Sequence, residues 1–299
     1  MYTTTVAEIS ILPPMRENIK LISGEEISSA VAGLYATACI GPHCGVEERL
    51  EEILSEEDPG PGREALRIEI DNLKVAGKLG LPICQDTGTA IVFIQLGNMV
   101  CISDSSLSDA VNEGISRACA EAYLRPSQVF PPIGARKNTM NNTPAIVHID
   151  HVFGNELKIS VLAKGAGSEN VSRSVMLSPL AGEQGIAEFA EACVRAGASK
   201  SCPPLIVGIG VGGNLETSAI LAKKALLREL GIQSDVTELK ELELRITERL
   251  NATGIGPQGF GGKTTVMETR ILQTACHMAS LPVTVSIECH AHRTASCVL

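Results

Sequence analysis

From residue 90 onward the chain alternates short β-rich runs with amphipathic helical patterns, and that interleaving restricts the fold more than any other feature. The β-rich runs are Ala90 to Ile94, Ala145 to His151, Leu157 to Ala163, Leu205 to Gly210, Thr264 to Ile271 and Val283 to Glu288. Between them lie helical patterns at Leu107 to Tyr123, opened by the serines near 105, and at Glu183 to Ala196, Leu215 to Leu230 and Val236 to Leu250. The turn signal at Gly154-Asn155 predicts a hairpin between the second and third runs. Residues 1–80 read differently: Glu25 to Ala38, Val46 to Glu57 and Gly62 to Lys78 carry apolar residues at three- and four-residue spacing, broken at Pro59-Gly60-Pro61. The expectation is an α/β fold in which a helical N-terminal lead-in precedes interleaved strands and helices forming a sheet covered by helices. No repeat, low-complexity tract or linker divides the chain, so residues 1–299 are read as a single domain.

Composition narrows the function. A chain of 299 residues with 44% apolar content can bury a large core. A net charge of −9 gives no global attraction to nucleic acid or anionic lipid, so an acidic ligand has to be drawn by local Arg, Lys or metal. Trp is absent and aromatics make up 3%, which leaves few stacking platforms for nucleobases. The N-terminus sets Glu8 and Arg16 around a short apolar patch ending in Pro13-Pro14, unlike a signal peptide, and no apolar run reaches membrane-spanning length, so a cytoplasmic location is expected. The chain's 10 cysteines then point to reduced thiols or metal ligation rather than a disulfide scaffold. Cys119 and Cys193 fall within helical patterns and read as packing thiols.

Three cysteines stand apart from the rest. Cys84 lies in the run Gly80 to Gly88, followed at once by Gln85 and Asp86. Cys202 lies in Ser201-Cys202-Pro203-Pro204 before a β-rich run, and Cys289 in Glu288-Cys289-His290-Ala291-His292-Arg293 after one. All three are at strand ends beside turn residues. They are more than eighty residues apart, which matches neither the paired spacing of structural zinc nor the tight ferredoxin pattern. Spacing therefore leaves each one between an inert thiol and a ligand. Two glycine-rich runs complete the inventory. Residues 208–213 fit a dinucleotide fingerprint, but no second strand follows to carry an acidic ribose partner, so tight strand-to-helix packing is the expected role. Residues 256–265 look like a phosphate loop but lead into a β-rich run, and their glycines are expected to let backbone approach a ligand or metal cluster.

Taken together and in order, CQDTG (84–88), LRPSQ (124–128), NTP (142–144), KGAGSEN (164–170), CPP (202–204), GIGPQGFGGKTT (254–265), HMASLPV (277–283) and CHAHR (289–293) resemble the iron–sulfur subunit of class I fumarate hydratases and the related L-tartrate dehydratases. The resemblance runs over residues 20–295 and is closest to the α subunit of the two-subunit enzyme. It implies that Cys84, Cys202 and Cys289 hold a [4Fe-4S] cluster with one iron lacking a protein thiolate, which can act as a Lewis acid. It assigns substrate contact to Gln85 and Asp86, with Asp86 helping proton transfer; the alternative for Asp86 is an ordinary turn cap. It makes Arg125 a carboxylate clamp, against a solvated helix-end arginine. Gly167 and Asn170 become backbone and amide contacts, His277 an active-site histidine, and Arg293 an anion contact, while His290 and His292 only flank Cys289. The implied activity is reversible hydration of fumarate to L-malate, with L(+)-tartrate dehydration as the alternative. From another class, a non-catalytic iron–sulfur partner or redox sensor is also open. One-chain members continue into a second domain, so a separate β subunit and an α2β2 assembly are expected, with a small dicarboxylate as substrate and neither nucleic acid nor membrane as partner.

Overall fold

The computed structural model describes residues 19–41 and 45–299; the patch around Glu8, Pro13-Pro14 and Arg16 lies outside the described residues, as does Cys44. The chain opens with a short strand, β1 (Lys20–Ile22), and three helices, α1 (Gly24–Ile40), α2 (Val46–Glu56) and α3 (Pro61–Leu79). Local chemistry sets their ends. Ser23 caps α1 in a capping box with Glu26, its hydroxyl accepting the Glu26 N–H at 3.2 Å while the Glu26 carboxylate accepts the Ser23 N–H at 2.8 Å. Proline occupies the first position of α3, and Gly80 ends it at φ 64°.

There follow β2 (Thr89–Gly97), β3 (Val100–Ile102), α4 (Leu107–Glu121), the two-residue strands β4 (Val129–Phe130) and β5 (Lys137–Asn138), β6 (Ile146–Val152) and β7 (Leu157–Lys164). The second half runs through α5 (Ala166–Glu169), β8 (Arg173–Leu177), α6 (Gly182–Gly197), β9 (Leu205–Gly213), α7 (Leu215–Ala225), α8 (Thr237–Asn251), β10 (Val266–Cys276), β11 (Leu281–Glu288) and β12 (Thr294–Val298). The α/β expectation holds, with the longer strands divided between two four-stranded sheets of order β12-β7-β2-β6 and β10-β9-β11-β8.

Three apolar clusters hold these layers together. Helices α1 and α4 pack on one face of the first sheet through residues such as Val31, Tyr35, Val111 and Ile115 against Val92, Ile94 and Val161. Helices α6 and α8 cover the second sheet through Ala190, Val194, Ile246 and Leu250. The third cluster joins α2 and α3 to both sheets, bringing Leu66, Ile70 and Leu73 against Ile91, Leu162, Ile206 and Ala291.

The structure corrects several boundaries. Residues 145–163 do not form a hairpin, because β2 lies between β6 and β7, parallel to the first and antiparallel to the second. The five apolar residues of Ala90 to Ile94 are all buried and take the interior position. The Gly154-Asn155 turn wraps the end of β2 instead, its carbonyls at Gly154 and Glu156 accepting the N–H groups of Met99 and Gly97. Helix α7 ends at Ala225, short of Leu230. Strands β8 and β12 were not expected; both are five residues long, and β12 is made of small residues with a weak apolar pattern. Among the described residues, no helix is long and apolar enough to cross a membrane.

Candidate active site

The two sheets are tied at one end by two chain crossings, and the residues singled out in the sequence gather there. Strand β11 finishes at Glu288 opposite Ile206, beside the start of β9, and residues 289–293 carry the chain directly into β12 of the other sheet. Strand β7 finishes at Lys164 opposite Thr89, and α5 carries the chain back to β8. CQDTG leads into β2 and CPP leads into β9, so both approach the same end.

Asp86 links the CQDTG turn to α5. Its Oδ1 accepts the Gly88 N–H at 2.9 Å, its Oδ2 accepts the Ala166 N–H at 2.6 Å, and its own N–H lies 3.4 Å from the Cys84 sulfur. The turn-cap role is therefore real, and it leaves lone pairs on both carboxylate oxygens. Arg293, almost fully buried, donates through Nη1 to the Asp86 carbonyl. Burial works against its charge, but Cys289, Cys39, Glu288 and Cys84 around it hold its pKa above the ordinary value. The same field shows the thiols to be neighbours: Cys84 contributes to raising the Cys202 thiol, after burial as the larger cause. Burial pushes the Cys289 thiol up to about 12, with Glu288 adding to the rise.

Around Cys202 the backbone is unusual. Cys202 has φ 55°, and its carbonyl accepts the His290 N–H at 3.3 Å, with the His290 Nδ1 at 3.1 Å. Buried Glu69 of α3 stands 3.2 Å from the same Nδ1 and accepts a hydrogen bond from Gln258. Burial raises Glu69 to about 8 and lowers His290 to about 4, so both are driven toward their neutral forms. Behind Cys289 lies a buried ion pair, Lys164 Nζ to Glu288 Oε2 at 3.4 Å, with Lys164 also donating to Ser168 at 2.6 Å. Sequence reading passed over Lys164, Glu288, Glu69 and Gln258. The first two sit inside the KGAGSEN and CHAHR stretches, but nothing in their spacing reveals that they meet.

The remaining site residues form a rim. Arg125 is exposed; its carbonyl accepts the Thr87 hydroxyl at 2.7 Å, which fixes it beside the CQDTG turn. Gln85, Gly167 and Asn170 are exposed as well, Gly167 lying against the Lys200 carbonyl. Among the described residues, the side chains of Gln85, Arg125 and Asn170 make no hydrogen bond or ion pair and stay available to a ligand. Asn142 of the NTP stretch braces this rim from inside. Fully buried at φ 61°, it accepts the Ser127 N–H at 2.8 Å and donates to Tyr35 at 2.9 Å and to the Gly88 carbonyl at 3.0 Å.

His277 does not join them within this chain. It lies in the exposed turn between β10 and β11, its Nδ1 accepting the Ala279 N–H at 3.1 Å. The eight residues of β11 separate that turn from Cys289, about 27 Å at the rise of an extended strand. The chain reverses between β10 and β11, so nearness in sequence becomes opposite ends of a sheet.

A model of the family described as fumarate hydratase (fumerase) matches residues 28–298. The chain belongs to the fumarate hydratase family. It is 37% identical over 274 residues to a Methanocaldococcus jannaschii protein provisionally named L(+)-tartrate dehydratase subunit alpha, a match spanning 90% of this chain and 96% of that protein. It is 31% identical over 281 residues to the L(+)-tartrate dehydratase subunit alpha of Escherichia coli strain K12, spanning 93% of this chain and 92% of the relative.

The donor set fits the iron–sulfur group for which this fumarate hydratase family is known. Cys84, Cys202 and Cys289 are free thiols from three loops at one end of the fold. Among the described residues no three His, Cys, Asp or Glu side chains stand at the spacing of a single metal ion. A multi-iron cluster differs from a single ion in this respect, since its thiolates bind separate irons and stand further apart. Buried polar atoms without a hydrogen-bond partner also collect here, namely Glu69 Oε2 and Arg293 Nε, while Glu288 Oε2 has only its ion pair with Lys164.

The two glycine-rich runs serve the fold of this family member. A Cβ at Gly208 would stand 2.2 Å from the Ala222 carbonyl oxygen and one at Gly210 2.0 Å from that of Ser218, so these glycines admit α7 against β9, as the packing reading expects. The 256–265 loop lies beside the CPP turn, the Gln258 N–H donating to the Pro203 carbonyl at 2.8 Å, and its other end closes on Glu57. The buried Glu57 carboxylate accepts the Lys263 N–H at 2.9 and 3.0 Å, and a Cβ at Gly262 would lie 2.8 Å from Glu57 Oε1.

Proposed function

We propose that this chain is the α subunit of an iron–sulfur hydro-lyase that adds water to, and removes it from, a four-carbon 2-hydroxy dicarboxylate, with fumarate and L-malate as the reacting pair. The observation that carries the proposal is the convergence of three loops at the junction of the two sheets, those of Cys84 and Cys289 meeting at Arg293 and that of Cys202 tied to the Cys289 loop through His290. When bound there, a [4Fe-4S] cluster held by these three cysteines supplies a Lewis-acidic iron free of protein thiolate.

The chain's own residues take the other tasks. Arg125 presents an unengaged guanidinium fork suited to one substrate carboxylate. Gln85, Gly167 and Asn170 orient the rest of the molecule from the two loops that Asp86 ties together. The Asp86 carboxylate, held in place by two backbone N–H groups, accepts a proton from the carbon next to the departing hydroxyl and returns it in the reverse direction. Arg293, donating to the Asp86 carbonyl, keeps that carboxylate in register and adds positive field for an anionic substrate. His277 takes no part from within the same chain. We place the protein in the cytoplasm, treat residues 1–299 as one folding unit, and assign it a separate β subunit in an α2β2 assembly.

The names of its relatives favour a second substrate, L(+)-tartrate, which differs from malate by one hydroxyl. Anaerobic reconstitution with iron, sulfide and the candidate β subunit, assayed on malate and L(+)-tartrate side by side, decides between them. Turnover of malate with tartrate at least about tenfold slower supports the fumarate assignment, and the reverse ratio supports tartrate. Robust turnover by the metal-free chain, or no turnover of either acid by a cluster-loaded complex, sinks the hydro-lyase reading.

A further inference from the structure

Strand β6 is the outer strand of its sheet, bonded to β2 on one side only. Ile149 to Val152 are all exposed along it, as is Phe153 just past its end, at 89%. Natural proteins protect an open edge bearing large apolar side chains, or cover it.

Backbone geometry tells which groups face outward. The carbonyls of Val152 and Gly154 accept the N–H groups of Asn98 and Met99, both at 2.9 Å, so even-numbered residues turn their N–H and C=O toward β2 and its continuation. Alternation along a strand then turns the backbone groups of Val147, Ile149 and His151 toward the open side.

We propose that two copies of this chain associate by antiparallel pairing of β6 with β6 about a twofold axis at Ile149. The strand reads Ile-Val-His-Ile-Asp-His-Val, and rotation about its middle residue makes it complementary to itself. Ile149 meets Ile149 of the second copy, Val147 meets the second copy's His151, and these are the outward-bonding positions, giving about six interchain hydrogen bonds. On the face shared with Phe93, Ile146 meets Val152, and His148 meets the second copy's Asp150. Each Asp150 already accepts a hydrogen bond from Lys224, and each His148 stacks on Phe93 at 4.9 Å between ring centres, so both partners are held in place. Shifting the axis by one residue leaves the outward backbone groups bonded but sets Asp150 against Asp150, or His148 against His148, and so loses the His148–Asp150 pairing. Shifting it by two shortens the overlap and loses the His148–Asp150 pairing. A second copy is thus the occupant that this edge specifies, and the inference depends on neither the substrate nor the cluster.

Sedimentation of the full chain over a range of concentrations, with and without Ile149→Lys, tests the proposal. The unaltered chain should dimerise, and Ile149→Lys, which sets two ammonium groups across the axis, should weaken self-association by about tenfold or more while circular dichroism stays unchanged. A monomeric chain, or a dimer indifferent to Ile149→Lys, overturns it. Amide hydrogen exchange on the unaltered chain gives a second reading if the variant fails to fold. Amides 147, 149 and 151 should gain protection as concentration rises, while 148, 150 and 152 are protected throughout. Protection of the odd-numbered amides that is indifferent to concentration, or that arises only when the β subunit is added, also refutes the pairing.

Discussion

At the scale of single residues, the site depends on side chains that do two jobs at once. Asp86 caps the turn after Cys84 and receives the Ala166 N–H of α5, so its shape matters to structure and its charge to chemistry. Asp86→Asn keeps the shape and one acceptor oxygen but removes the base. We expect turnover of the reconstituted enzyme to fall by about 10²–10⁴-fold, with bound iron per chain little changed. A variant with normal turnover would remove Asp86 from the chemistry, and one that loses its iron would make it chiefly a structural cap. Cys39 illustrates the opposite case, a buried thiol whose backbone carbonyl takes the Ile83 N–H at 2.9 Å and so anchors the approach to Cys84. Burial pushes its thiol from 9.0 up to about 12. Because the folded pKa is the higher one, its contribution is fully present below pH 9 and is lost as pH rises toward 12. Three units correspond to about 4 kcal/mol. Chemical denaturation of the metal-free chain should therefore show stability falling above pH 9, and Cys39→Ala should flatten that fall. An identical pH profile in the variant would remove Cys39 as its source.

Elements meet through glycines chosen for closeness in some places and tolerated in others. Gly210 of β9 lies under α7, where an added Cβ would stand 2.0 Å from the Ser218 carbonyl oxygen, whereas nothing lies within 4 Å of a Cβ at Gly33 in α1. Gly210→Ala should destabilise by about 3 kcal/mol or more, because backbone must move apart. Gly33→Ala should stabilise by about 0.5–1 kcal/mol, through helix propensity alone. Thermal unfolding of the two variants checks both signs, and matching shifts would show that the close approach is not real. This contrast also explains how far the elements can be read from the sequence. Helices α1, α3, α4 and α6 follow from apolar periodicity, and α4 also from the serines near 105, since those signals are local. Strand partners are not local. The Gly154-Asn155 turn looks like a hairpin loop until β2, more than fifty residues earlier, takes the position between β6 and β7. Strand β12, Thr-Ala-Ser-Cys-Val, carries too little apolar pattern to announce itself and is fixed by pairing with β7.

For the whole molecule, the decisive fact is that the candidate site lies where the two sheets are stitched together. Cys84 hangs between α3 and β2, Cys202 precedes β9, and Cys289 begins the crossing from β11 to β12. Their common destination could not be read from spacing, because it depends on strand order and direction; the ordered runs of similarity pointed to it, and that resemblance also named His277, which strand direction then placed at the opposite end. A group bound by all three cysteines bridges both sheets and α3 and binds the folded chain in preference to the unfolded one, so occupancy should raise the stability of the entire fold. We expect the anaerobically reconstituted chain to unfold at a higher temperature than the metal-free chain. Cys202→Ala should abolish that difference, whereas Cys276→Ala, at the exposed end of β10 next to His277, should preserve it. Calorimetry of the three proteins under argon, with and without added iron and sulfide, makes the comparison. If Cys202→Ala kept both its iron and its thermal shift, the ligand set would have to be sought elsewhere in the chain. If the unaltered chain took up iron without any shift, the bound group would not be bridging the two sheets.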